Sequence, residues 1–138
     1  MSSAKEKALK ILDKKLIGTL STVSNNKPHS RYMTFYNDNF TLYCATSKDT
    51  HKVEELQLNP NTHILLGLEG VAFGNEYLEI EGTVEVTQDD SMREKVWNKY
   101  MEFWFDGPED PDLIVLKITP SSIRIMNKKG NSPEVVEM

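Results

Sequence analysis

The sequence contains one cysteine and no long apolar run, and these shortages exclude several classes of protein. Cys44 has no partner thiol in the chain, so neither an internal disulfide nor a cysteine-rich zinc site can form. No apolar stretch approaches the roughly 18 residues that a membrane-spanning helix needs. Residues 1–10 are polar and charged, unlike a secretory signal. We therefore expect a cytoplasmic protein without a membrane partner, in which Cys44 is a small buried hydrophobe rather than a reactive thiol.

Positive charge is also in short supply. The chain has 16 Lys and Arg against 21 Asp and Glu, which gives a net charge of −5. Proteins that bind a phosphate backbone instead carry a basic surface. We therefore expect no nucleic-acid partner. His29, His51 and His63 have no zinc spacing, and the acidic stretch 106–112 lacks the EF-hand pattern, so we expect no metal site. The motifs of serine hydrolases, Walker loops and dinucleotide-binding glycine turns are absent too.

The remaining sequence is that of one ordinary globular domain over residues 1–138. Hydrophobic residues make up 38% and charged residues 27% of the chain. Helical spacing of apolar residues predicts an N-terminal helix within 1–15. The chain then changes to short β-rich stretches at 16–23, 30–36 and 40–46, separated by turns rich in asparagine. This pattern predicts an antiparallel meander.

The second half adds further strands and two more helices. Asp49 or Thr50 can begin a short helix ending before Asn59-Pro60. Alternation over 77–86 predicts a strand buried on one face, with a bulge or bend at Gly82. A capping pattern at Ser91 predicts a third helix that carries Val96, Trp97, Tyr100 and Trp104 at helical spacing. Strands at 113–118 and 123–126 and a loose tail over 127–138 follow it. The fold class is therefore α+β, with six or seven antiparallel strands in a closed or partly closed barrel and three helices.

Two groups of residues suggest a ligand. Lys52 falls in the first turn of the second predicted helix, where a bound phosphate would favour a cation that otherwise opposes the helix dipole. Arg31, on a preceding strand, could reach the same place, although the local pattern alone favours a solvated lysine. A set of aromatic residues could line a pocket, but its helical spacing favours core or interface packing. Its members are Trp97, Tyr100, Phe103, Trp104 and Phe105.

Several short stretches, taken in order, match a known family. They read GTLSTV at 18–23, PHSR at 28–31, YCATS at 43–47, KVEEL at 52–56, NP at 59–60, EGT at 81–83, WF at 104–105 and DPDL at 110–113. The chain resembles the FMN-binding split-barrel proteins related to pyridoxamine 5′-phosphate oxidase, and among them the general stress protein branch. The resemblance implies an antiparallel split β-barrel with flanking helices. It also implies a homodimer with FMN at the subunit interface.

The resemblance also implies roles for individual residues. Arg31 and Lys52 would hold the FMN phosphate, helped by Thr46 and Ser47. The backbone at Tyr32, Met33 and Thr34 would border the isoalloxazine ring.

The sequence departs from the oxidases at two points. His51 stands where the oxidase pattern has an arginine. The chain also ends soon after the last predicted strand, without the basic C-terminal extension of the oxidases, so we do not expect oxidation of pyridoxine phosphate.

Two functions from different classes follow from this resemblance. The first is an FMN-dependent oxidoreductase that takes electrons from NADH or NADPH and passes them to an unknown acceptor. The second is a non-catalytic flavin-binding protein that acts as a stress-response carrier or sensor. A barrel that uses haem or a deazaflavin is a third alternative. The sequence identifies no catalytic acid or base, so it does not choose between them.

Overall fold

The computed structural model describes residues 3–14, 17–67, 76–126 and 132–137. These residues form eight strands, three α-helices and a 3-10 helix at Lys99–Phe103. The helices are α1 (Ala4–Leu12), α2 (His51–Leu58) and α3 (Asp90–Val96). The strands are β1 (Ile17–Ser24), β2 (Lys27–Thr34), β3 (Tyr36–Asp38), β4 (Thr41–Ser47), β5 (Asn61–Leu66), β6 (Tyr77–Thr87), β7 (Leu113–Met126) and β8 (Glu134–Val136).

All the strands join one curled antiparallel sheet. Their order is β2-β1-β5-β6-β7-β4-β3, and β8 pairs with β7. Inward-facing apolar side chains such as Leu20, Ile64, Ile80 and Ile118 are fully buried inside the curl, and α1 and α2 pack on the same core through Leu12 and Leu56. The predicted α+β split-barrel class is confirmed. None of the described helices is long and apolar enough to cross a membrane.

The β1–β2 hairpin sets the register of the candidate site. Asn25 and Asn26 both adopt positive φ, 53° and 61°, as a two-residue hairpin turn of the I′ type requires. Asparagine tolerates this conformation better than most residues. The resulting register places Arg31 opposite Leu20 and His29 opposite Thr22. Because cross-strand partners share a face, the Arg31 side chain points to the side of the sheet that packs against α2.

The bulge predicted at Gly82 is confirmed. The pairing of β6 with β7 shifts register between Glu81 and Gly82. A Cβ atom at Gly82 would lie 2.6 Å from the Thr119 carbonyl oxygen, so the two backbones can approach only because this residue has no side chain. The bulge bends the two longest strands and so curls the sheet.

The third predicted helix differs from the structure. Asp89, rather than Ser91, caps α3, because its carboxylate accepts from the Ser91 and Met92 amides. The helix stops at Val96, and Trp97 is extended. Asn98 then caps the separate 3-10 helix by accepting from the Tyr100 amide. The predicted continuous aromatic helix is therefore wrong.

The C-terminal half of the sheet also departs from the prediction. The two strands expected at 113–118 and 123–126 are one continuous strand, β7. Of the tail expected to be loose over 127–138, only 132–137 are among the described residues. They contain β8, whose Val136 is buried in the core. A three-residue strand is too short to show alternation, so its apolar residue gave no local signal.

Candidate functional site

A pocket of about 510 Å³ opens between the ends of β2 and β4 and the segment that carries the 3-10 helix. This volume is typical of small-molecule sites. Five of the seven predicted site residues line it: Tyr32, Met33, Thr34, Thr46 and Ser47. The segment with the 3-10 helix contributes Asn98, Tyr100, Met101, Trp104 and Phe105, and Tyr36, Ala45, Thr50 and Asp112 complete the lining. The fold thus brings together residues from three separate stretches of the chain.

Lys52 lies beside this pocket in the first turn of α2. Its Nζ donates a 2.9 Å hydrogen bond to Oγ1 of Thr46, a lining residue. Burial lowers the pKa of Lys52, and the positive charge of Arg31 lowers it further. The side chain of the N-cap residue Thr50 makes no capping hydrogen bond, so it leaves the backbone N–H groups of the first turn available to a ligand. A cation and free amides at a helix N-terminus form a favourable environment for an anion.

Arg31 is not among the residues that line the pocket, and a buried acid holds its side chain. Its Nη2 lies 3.3 Å from Oε1 of Glu55, and its Nη1 donates at 2.7 Å to Oγ1 of Thr22. His29 Nδ1 lies 3.2 Å from the other carboxylate oxygen of Glu55. Arg31 and Lys52 are thus neighbours whose charges are partly balanced by Glu55.

Ser47 has a different environment from the one that the resemblance implies. Its hydroxyl donates a 2.7 Å hydrogen bond to Oδ2 of Asp112. In this arrangement the hydroxyl proton is donated to the Asp112 carboxylate and is not available to a bound phosphate. Thr46, whose hydroxyl accepts from Lys52 and can itself donate, is better placed for that contact.

Several residues at the site were missed by sequence reasoning. Glu55 follows Lys52 by three residues, so both lie on one helix face, and this spacing was the available signal. Asn98 donates through its amide to the Tyr36 hydroxyl, which links the 3-10 segment to β3. Burial raises the pKa of Tyr36, with a further rise from Cys44, while the Asn98 contact lowers it. Asp112 gave no signal that set it apart from its acidic neighbours.

The aromatic residues near the 3-10 helix are exposed to an unusual degree. The exposed fractions are 86% for Tyr100, 83% for Phe103 and 71% for Trp104, and Tyr32 on β2 reaches 79%. The rings of Phe103 and Trp104 pack edge to face, with their centroids 4.9 Å apart. These side chains are therefore not core residues, and both remaining interpretations, a pocket wall and an interface, concern the same surface.

The other polar candidates carry no site in the described part of the chain. No group of three or more His, Cys, Asp or Glu side chains is arranged to hold a metal ion there. Cys44 is fully buried, as expected, and burial raises the pKa of its thiol. It is therefore protonated at neutral pH and shielded from reagents.

Comparison with known proteins gives a consistent result. The sequence model of the family described as "Pyridoxamine 5′-phosphate oxidase like" matches residues 3–136. General stress protein 26 of Bacillus subtilis (strain 168) is 46% identical over 134 residues, which cover 97% of this chain and 96% of that protein. The crystal structure of general stress protein 26 from Bacillus anthracis str. Sterne is 36% identical, with a TM-score of 0.86, and the match covers 97% of this chain and 98% of that one.

A more distant structure shares the fold. The heme-binding protein from Mycobacterium smegmatis has a TM-score of 0.80 at 16% identity, and the match covers 99% of this chain and 58% of that one. At this identity the likeness concerns the fold alone.

Proposed function

The chain belongs to the pyridoxamine 5′-phosphate oxidase-like family, and from this premise we propose that it binds FMN in the pocket between β2, β4 and the 3-10 helix and acts as a flavin-dependent oxidoreductase. The observation that carries the proposal is the cationic corner beside the pocket. There, Lys52 at the N-terminus of α2 donates a hydrogen bond to Thr46 on β4, and Arg31 lies near Lys52. A compact phosphate group suits this corner, and the wide, partly aromatic remainder of the pocket suits a planar ring system.

The residues present fit the parts of FMN. Lys52, Arg31 and the first-turn amides of α2 would hold the phosphate through charge-assisted hydrogen bonds. The strand at Tyr32, Met33 and Thr34 would border the ring. When bound, FMN supplies reversible electron transfer that the side chains of this chain cannot perform. The protein's own part is to bind and orient the ring and to exclude water from it.

We further propose that a second copy of the chain completes the site. The exposed aromatics Tyr32, Tyr100, Phe103 and Trp104 form a surface of the kind that marks an interface. Three of them, Tyr32, Tyr100 and Trp104, also line the pocket, so a partner resting on them would close the pocket from the open side. NADH or NADPH is the proposed electron donor.

Titration of the ligand-free protein tests the cofactor. We expect FMN to quench protein fluorescence at lower concentration than riboflavin, since only FMN can use the cationic corner. Equal affinity for the two would contradict the phosphate site. Absorbance spectra recorded after addition of FMN or of haem test the competing cofactor. Tight haem binding, seen as a Soret band, together with no FMN binding would replace the flavin proposal.

Anaerobic mixing with NADH or NADPH tests the reaction. Bleaching of the flavin absorbance, followed by recovery in air, is expected of an oxidoreductase. FMN that binds tightly but is not reduced by either nucleotide would favour the alternative of a non-catalytic carrier or sensor.

A further inference from the structure

We propose that Glu55, together with Thr22, is a positioning residue that fixes the Arg31 guanidinium for phosphate binding. This inference rests on the proposed FMN site and assigns a role to two residues that do not line the pocket. It concerns a junction of α2, β1 and β2, each of which contributes one member.

Hydrogen bonds join the three side chains of this junction to one another. Glu55 is 9% exposed and Thr22 is completely buried. Oε1 of Glu55 accepts from the Thr22 hydroxyl at 3.2 Å and from Arg31 Nη2 at 3.3 Å. Nη1 of Arg31 donates to Thr22 Oγ1 at 2.7 Å. The three groups therefore form a closed triangle in which every side is a hydrogen bond.

The triangle leaves part of the guanidinium available. A guanidinium group has five N–H donors. Nη1 points into the sheet, where Thr22 and, at 3.4 Å, the carbonyl oxygens of Leu20 and His29 accept from it. Within the described parts of the chain no acceptor contacts Nε. Glu55 and Thr22 thus hold one edge of the planar group and leave Nε and one Nη2 hydrogen for a phosphate oxygen.

The charge arrangement supports the same role. Arg31 and Lys52 lie close enough for the Arg31 charge to lower the Lys52 pKa, and two neighbouring cations repel each other. Glu55, one helical turn after Lys52, is the anion that keeps Arg31 in place beside it. A group fixed in advance loses less entropy when the ligand binds.

The charge of Glu55 and its positioning of Arg31 should change phosphate affinity in opposite directions, so the positioning role can be tested. If Glu55 acted only through its charge, its removal would tighten binding of a phosphate dianion, because it repels that ligand. If it positions Arg31, its removal weakens binding even though the site becomes more positive. The sign of the change therefore separates the two.

Equilibrium titration of four variants with FMN and riboflavin is the experiment. We expect Glu55→Ala and Thr22→Val to weaken FMN binding about tenfold, the effect of one hydrogen bond to a charged group, with riboflavin affinity unchanged. Glu55→Gln keeps an oxygen acceptor for Arg31 and should restore most of the loss. Glu54→Ala, on the exposed face of the same helix, is the matched control and should match the wild type. Thr22→Val keeps the side-chain shape and carries the test if Glu55→Ala fails to fold.

A double-variant cycle completes the test. In an Arg31→Ala background, Thr22→Val should not change FMN affinity further, and Glu55→Gln should not weaken it further, because the group that they position is gone. Unchanged or tighter FMN binding in both Thr22→Val and Glu55→Ala would overturn the positioning role, while leaving the FMN site intact if the wild type still prefers FMN to riboflavin. A wild type without that preference would overturn both proposals.

Discussion

Replacement of Lys52 by alanine should weaken FMN binding by about 10- to 150-fold. The Lys52 amino group donates a 2.9 Å bond to Thr46 at the edge of the pocket, so it is within reach of a phosphate held there. A hydrogen bond to a charged group contributes about 1.5–3 kcal/mol. At about 1.4 kcal/mol per decade, this free energy corresponds to the stated range.

The fold should tolerate this change. Burial and the Arg31 charge lower the Lys52 pKa, which means that the folded protein disfavours the charged amino group. A cation in the first turn also opposes the helix dipole at a cost of about 0.3–1 kcal/mol. Lys52→Ala removes both unfavourable contributions, the buried charge and its conflict with the helix dipole. Their removal offsets the loss of the hydrogen bond to Thr46, so we expect a thermal midpoint within a few degrees of the wild type.

Isothermal titration or flavin fluorescence measures the effect, with two controls. Riboflavin should bind wild type and Lys52→Ala equally, because it lacks the phosphate. Lys48→Ala removes an exposed lysine that precedes the helix and should change FMN affinity by well under a factor of ten. An unchanged FMN affinity in Lys52→Ala would mean that Lys52 does not contact the phosphate, and the phosphate site would have to be placed elsewhere.

Three further predictions concern the fold and the proposed dimer. Burial raises the Cys44 pKa, so as pH rises the thiol loses its proton in the unfolded state before it does so in the folded state. The free energy of unfolding of the wild type should therefore fall above about pH 8.5, by up to about 1.4 kcal/mol per pH unit. Denaturant midpoints at pH 8 and pH 10 measure this fall, and Cys44→Ala should lack it. Gly18→Ala should cost about 1–3 kcal/mol, since its Cβ would lie 2.4 Å from the Leu65 carbonyl oxygen, and an unchanged melting temperature would refute that clash. Phe103→Glu, at a side chain 83% exposed, should leave the fold intact but shift the mass in light scattering from dimer to monomer; a wild type that is already monomeric would refute the shared site.

Local sequence signals gave much of the fold. The Asn25-Asn26 turn and the alternation in β6 depend only on residues close together in the chain, so their conformations could be predicted. Gly82 could be assigned to a bulge for the same reason, because a glycine that interrupts an alternating strand has few other uses. Lys52 could be placed at a helix start from a strand end followed by hydroxyl residues.

The break after α3 and the docking of β8 could not be predicted in this way. The aromatic residues from Trp97 to Trp104 have helical spacing, yet Asn98 ends the α-helix by capping a new turn and bonding to Tyr36, 62 residues earlier. That tertiary contact outweighs local helix propensity. The burial of Val136 likewise depends on the β7 edge that receives it.

Local patterns along the chain thus predicted the class of fold, the hairpins and the position of Lys52 at a helix terminus, and the family resemblance suggested the phosphate residues. How those residues are held depends on contacts between distant parts of the chain. Glu55 lies 24 residues from Arg31 and 33 from Thr22, and no periodicity spans such separations. The three side chains meet because the β1–β2 register and the packing of α2 against the sheet fix their positions, and both depend on the whole barrel core rather than on any one stretch of chain.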